Sequence, residues 1–130
     1  MSGEAAERLE RILRQTHASL VVTSTWRKYY SPDILTRFLR RAGAPSAIVT
    51  SCTPVLDAPS GTHISGVRHE EIEVWMWIHG RPSSFAILED AEPMGDLEPY
   101  VVRTEENDFL REKHVEPTIA LLTNPLMIKA

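Results

Sequence analysis

At 130 residues the chain is long enough for one ordinary domain with a single core, needing neither disulfides nor a structural metal. With 42% hydrophobic and 25% charged residues it has the balance of a folded globular protein, and a net charge of −4 excludes a general electrostatic attraction to nucleic acid or anionic membrane. The single cysteine, Cys52, excludes an intramolecular disulfide and a multi-cysteine zinc site and fits a reducing, cytoplasmic setting; no apolar run is long enough for a signal core or a membrane span.

Leu9, Ile12 and Leu13 recur at helical spacing between Ala5 and Thr16, with Glu4, Glu7 and Glu10 early and Arg11 and Arg14 late, as the helix dipole favours. The spacing predicts a first helix within 1–18. Ser19 to Val22 then reads as a short strand buried on both sides, of the parallel-sheet type. Ser31-Pro32-Asp33 is a helix start, with Ser31 as cap and Pro32 where its missing N–H costs nothing; Leu35, Phe38, Leu39 and Ala42 mark the buried face and Gly43 the end. Ala47 to Ser51 reads as a second strand.

Thr53 to Val67 holds two prolines, two glycines, two serines and two threonines without helical period, which predicts a long loop. Arg68 to His79 is a helix with Ile72, Trp75, Met76 and His79 on one face, ended by Arg81-Pro82. Ser84 to Leu88 and Pro99 to Val102 read as strands. Asp108 to Leu122 reads as a closing helix that Pro117 should kink or split, followed by an apolar tail over 124–130. Strands alternating with helices argue for one α/β domain with a mostly parallel sheet.

The strand ends carry the chemistry. Thr23-Ser24-Thr25 follows the first strand and Thr50-Ser51 closes the second, while Glu89-Asp90 follows the third. A parallel sheet brings such tips to one edge, where open α/β sheets bind ligands. Hydroxyls beside carboxylates suit a phosphate next to a hard cation such as Mg²⁺. Taken singly, each is also an ordinary helix cap or turn former. Their repetition at strand ends favours a site.

Val21-Val-Thr-Ser-Thr-Trp-Arg27, Ala42-Gly43, Thr53-Pro54, Arg68-His-Glu-Glu-Ile72 with Trp75, Ala86-Ile-Leu-Glu-Asp90 with Met94, and Val102-Arg-Thr104 occur in an order that resembles a branch of the haloacid dehalogenase (HAD)-like superfamily. The branch is the small domain found in Swiss Army Knife RNA repair proteins. The resemblance implies a three-layer Rossmann-like fold and Mg²⁺-dependent phosphoryl transfer through an aspartyl-phosphate. It implies phosphate binding by Thr23, Ser24, Thr25 and Arg68, and metal binding by Glu89 and Asp90. The superfamily's opening strand ends in Asp-x-Asp-Gly, and no Asp-x-Asp occurs in this chain. Pro93 stands where an aspartate is expected before Met94. A covalent route without its nucleophile loses the step that divides the reaction.

The expectation is therefore a HAD-like phosphatase domain that lacks its first strand, is degenerate, binds phosphate, and is weakly active or inactive. The alternatives are a Mg²⁺-dependent phosphomonoesterase on nucleotides or nucleic-acid ends, if the strand is supplied, and a protein-interaction module. A homodimer or partner chain is expected to complete the sheet. Among the other candidates, Trp75 and Trp77 read as core or interface packing and Cys52 as a small buried thiol. Trp26 reads as packing against the following loop. Arg27-Lys28 with Tyr29-Tyr30 reads as a surface loop or, with a smaller share, as a nucleotide contact. The five histidines lack metal-ligand spacing.

Overall fold

The computed structural model describes residues 2–56, 67–106 and 109–123. Its elements in chain order are α1 (Gly3–Thr16), β1 (Leu20–Val22), α2 (Pro32–Ala42), β2 (Val49–Cys52), α3 (Val67–His79), β3 (Ile87–Glu89), β4 (Val101–Arg103) and α4 (Glu112–Thr123). Short 3-10 helices at Thr25–Lys28 and Gly95–Tyr100 lie between them. This is a mixed α/β fold in which the strands pair in parallel. The asparagine-proline tail, 57–66 of the long loop, and Asp108 lie outside the described residues.

Local chemistry sets the helix ends. Ser2 accepts a hydrogen bond from the Ala5 N–H at 3.1 Å and Ser31 one from the Ile34 N–H at 3.3 Å, so both helices begin on a capping hydroxyl. Gly43 ends α2 at φ 130°, a backbone shape that a side chain strains. Proline at 117 lies inside α4, which runs as a single helix from Glu112 to Thr123, so of the expected kink or split the split does not occur. Its ring lies in the second turn of α4. The first strand pair begins and ends within two residues of expectation. The last strand starts at Val101, because Gly95–Tyr100 is wound as a 3-10 helix around Pro99.

The strands form two separate parallel pairs. β1 pairs with β2, Leu20 opposite Val49 and Val22 opposite Cys52, and β3 pairs with β4, Ile87 opposite Val101 and Glu89 opposite Arg103. Among the described residues nothing pairs with the second edge of β1 or of β3. All three β1 residues are accordingly half-buried, where the apolar run predicted burial on both sides.

Helices hold the two pairs together. Ala5, Leu9, Ile12 and Leu13 of α1 make one core with Leu110 and with Val115 of α4, and Leu20 of β1 and Leu88 of β3 both pack against it. On the other side Ile72 and Met76 of α3 pack with Ile87, Met94, Leu97 and Tyr100. Gly95, at φ 52°, sits so close to His69 that a Cβ would fall 2.8 Å from the ring.

Glu10, on α1 and almost fully buried, accepts the Ser46 N–H at 2.7 Å and the Ser46 hydroxyl at 2.6 Å, and pairs with Arg14 at 3.3 Å. Burial works to raise its pKa, but the bonds from Ser46 and the charge of Arg14 outweigh it and hold the carboxyl below its ordinary value. An acid bound this way adds stability above about pH 4.5, lost as pH falls through its folded value. Glu10→Gln should therefore flatten the acid side of a urea-midpoint profile taken between pH 7 and pH 3. Ile12, 2% exposed in the α1–α4 core, should cost about 2–5 kcal/mol when replaced by alanine, read from urea denaturation.

Candidate functional site

The N-terminal turn of α3 is tied to the turn after β1 and to the end of β3. Glu71 pairs with Arg27 beyond β1 at 2.7 Å, and Arg68, one turn earlier, pairs with Glu89 at the end of β3. The segment after β1 and the end of β3 are therefore both held at the first turn of α3.

Arg27 is buried, in contrast to the expected surface loop. Its side chain is 5% exposed and that of Glu71 6%. The guanidinium donates to the carbonyls of Thr23 at 2.6 Å, Ser24 at 2.8 Å and Thr53 at 3.1 Å, and Glu71 also accepts the Leu56 N–H at 2.8 Å. One ion pair thus fixes the turn after β1, the segment after β2 and the start of α3. Burying two charges is tolerable here because each is paired and hydrogen-bonded. A nearby sign of this burial in the sequence is the glutamate at 71, which lies on the inward side of a helix beside Ile72.

With Arg27 turned inward on the Thr23 and Ser24 carbonyls, the hydroxyls of Thr23, Ser24 and Thr25 form no hydrogen bond among the described residues. Ser24 and Thr25 are exposed and Thr23 half-buried. The second hydroxyl tip differs: Ser51 accepts a bond from the Trp75 indole N–H at 2.8 Å, and Thr50 donates to the Leu20 carbonyl at 3.4 Å. Trp75 therefore serves packing between α3 and β2, stacked on His79 at 4.5 Å, whereas Trp77 stands 87% exposed. Cys52 is half-buried, and burial pushes its thiol up while Arg27 pulls the other way, so it is no activated nucleophile.

Arg68 and Glu89 meet as a pair. One guanidinium nitrogen donates to both carboxylate oxygens, at 2.6 and 2.8 Å, while Glu92 accepts the Arg68 backbone N–H at 3.1 Å. Glu89 is 5% exposed. Burial pushes its pKa up against the pull of Arg68, and the charges of Asp90 and Glu92 push it further. Asp90 is exposed and folds back on the Ala91 N–H at 2.9 Å. Among the described residues no group of three or more His, Cys, Asp and Glu could hold a metal ion. With both Glu89 oxygens on Arg68 and Asp90 turned to its own backbone, the carboxylates as arranged do not fit Mg²⁺, which requires several free oxygen ligands.

A family model described as the HAD domain in Swiss Army Knife RNA repair proteins matches residues 1–115. The chain belongs to this HAD domain family. Comparison with curated proteins and with solved structures gave no match. Membership of the HAD family relates the chain to phosphatases that generally use Mg²⁺. No helix among the described residues is long and apolar enough to cross a membrane. Within this HAD domain the Asp-x-Asp element remains absent from the sequence, and the arginines nearest the strand tips face carboxylates.

Removing one partner of the Arg27–Glu71 pair leaves a buried charge alone. Glu71→Ala should destabilise the fold by about 3–5 kcal/mol in urea denaturation. Replacing both, as Arg27→Met with Glu71→Leu, should restore much of that loss.

Proposed function

We propose that this HAD domain binds a phosphate group at the β1 tip and is catalytically silent or nearly so. The observation that carries the reading is an asymmetry between neighbouring tips. Thr23, Ser24 and Thr25 present hydroxyls without internal partners, whereas Arg68, Glu89 and Glu92 satisfy one another. Hydroxyls can donate to a phosphate oxygen, but none of them is a phosphoryl-accepting carboxylate, and the sequence offers no Asp-x-Asp to act as nucleophile and acid. Mg²⁺ has no part in this reading, since Glu89 is engaged by Arg68. An incoming phosphate could compete with Glu89 for Arg68, a residue whose fixed charge suits that role.

A second reading is supported by the two unjoined strand pairs. Leu20 and Leu88, one from each pair, lie under the same α1–α4 core, and the open edges of β1 and β3 are both parallel-strand edges. A strand from a second copy or a partner chain could join them. In that assembly the domain would be the phosphomonoesterase acting on a nucleotide or nucleic-acid end, its missing groups supplied in trans. Without catalysis, the same edges serve an interaction module.

The decisive assay is phosphate release from an aryl phosphate and a 5′-phosphorylated oligonucleotide with Mg²⁺, next to calorimetric titration with inorganic phosphate. No turnover is expected, with phosphate binding weakened at least several-fold by Thr23→Val with Ser24→Ala. Turnover that Asp90→Asn abolishes would overturn the silent reading. Turnover that appears only at concentrations where light scattering reports a dimer would favour completion of the sheet.

A further inference from the structure

Most of the large apolar side chains left in water lie on or beside two helices, α2 and α3. On α2, Ile34, Arg37, Phe38 and Arg41 are all exposed and follow the i, i+3, i+4, i+7 spacing that lines up one face over two turns. On α3, Glu70, Glu73, Val74 and Trp77 follow the same spacing, with Val74 half-buried and Trp77 87% exposed. Each stripe thus mixes apolar residues with two like charges, and the charges are of opposite sign on the two helices. Arg37, Arg41 and Glu70 form no ion pair among the described residues, and Glu73 pairs with His69 of its own helix at 3.0 Å. Arg81, the first arginine or lysine after Trp77, is drawn away over the Phe85 and Tyr100 rings. Between Thr23 and Gly43 five residues are basic and one is acidic, whereas between His69 and His79 three are glutamates and none is lysine or arginine. The turn before α2 enlarges the first face, since Tyr30 meets the Phe38 ring edge-on at 4.9 Å.

We propose that these two faces dock on each other between copies of the chain, α2 of one copy lying along α3 of another. The stripes back onto different cores, Leu39 of α2 on the α1–α4 core and Ile72 and Met76 of α3 on the other, and both stand in water. The pairing is therefore made between molecules rather than within one. A second copy is selected by the match of the two faces: each stripe spans seven residues, about 10 Å, and one offers two arginines where the other offers two glutamates. Trp77 is the anchor, because an indole left almost wholly in water gains most from a partner, and Ile34 and Phe38, with Tyr30 beside them, offer an apolar seat. The charges supply orientation and exclude wrong pairings more than they add affinity. α2 against α2 would set arginine on arginine, and α3 against α3 glutamate on glutamate, so unlike faces meet. A nucleic acid or an anionic membrane could answer the arginines of α2, but neither would cover a tryptophan flanked by Glu70 and Glu73, whereas a second copy accounts for both faces at once. The contact uses neither open strand edge, so it is separate from any completion of the sheet.

The test is sedimentation velocity of the full chain from micromolar to millimolar concentration, beside two charge-reversed variants, Arg37→Glu with Arg41→Glu and Glu70→Lys with Glu73→Lys. The unaltered chain should associate reversibly. Each variant alone should associate about tenfold more weakly or worse, because its two faces then carry the same sign. An equal mixture of the two should regain association, since the reversed α2 of one meets the reversed α3 of the other. Trp77→Ala should weaken association about tenfold or more, and Trp77→Phe less. All these side chains are exposed, so the urea midpoint at the lowest concentration should stay within experimental error, which separates loss of docking from loss of fold. A chain that stays monomeric throughout, association indifferent to both reversals, or reversals whose mixture does not recover would each overturn the proposal. Binding of phosphatidylserine vesicles or of an oligonucleotide through Arg37 and Arg41, by a chain that does not self-associate, would assign that face to another partner and overturn it as well.

Discussion

The ion pair between Arg27 and Glu71 is the constraint on which the rest of the geometry depends. Both side chains are shut away from water, and a charge in that position is tolerated only with its partner and its hydrogen bonds in place. The Arg27 guanidinium also gathers carbonyls from the turn after β1 and the segment after β2, and Glu71 takes an N–H from Leu56. Three chain segments that are distant in sequence are therefore set by one pair. Arg68 stands three residues before Glu71 on the same helical turn, so orienting Glu71 also delivers Arg68 to Glu89 on the far strand pair.

That chain of contacts explains how a sheet in two pieces keeps its strands aligned. No ladder of backbone hydrogen bonds joins β1 to β3 among the described residues. Alignment comes instead from α1 and α4 on one side, which cover both Leu20 and Leu88, and from the first turn of α3, which pins both strand tips. Apolar packing is non-directional and sets proximity, whereas the two arginine–glutamate pairs set direction. The half-exposed β1, built of Leu-Val-Val, is the mark of this arrangement: an interior sequence with one unpartnered edge.

The architecture was legible where periodicity and capping agree. Ser31-Pro32 and Gly43 delimited α2 nearly to the residue, and the apolar runs at 19–22 and 47–51 announced the parallel strands that form at 20–22 and 49–52. The position of the hydroxyls at a strand tip was equally readable, because alternating strands and helices leave that edge as the place where tips collect. What sequence could not provide was pairing among charges. Arg27 looks like a surface residue beside Lys28, and only three-dimensional closure reveals Glu71 opposite it, 44 positions on. Arg68 and Glu89 each looked suited to a ligand, yet their proximity lets them satisfy each other. The 3-10 helix around Pro99 likewise overrode a β-like composition, since proline removes the N–H a strand would use.

The union of α1 with α4 bears on how the chain reaches this state. Arg8 donates to the Leu110 carbonyl and Arg11 pairs with Glu112, contacts that span 102 and 101 positions. The principal core thus draws on segments about a hundred positions apart, and its formation must await closure of the intervening length, an entropic barrier that local helices do not lower. During synthesis the apolar side of α1 emerges well before α4 and remains without that mate until α4 has left the ribosome. Over that interval the apolar side of α1 is exposed, and a chaperone that shields it would protect the chain from association.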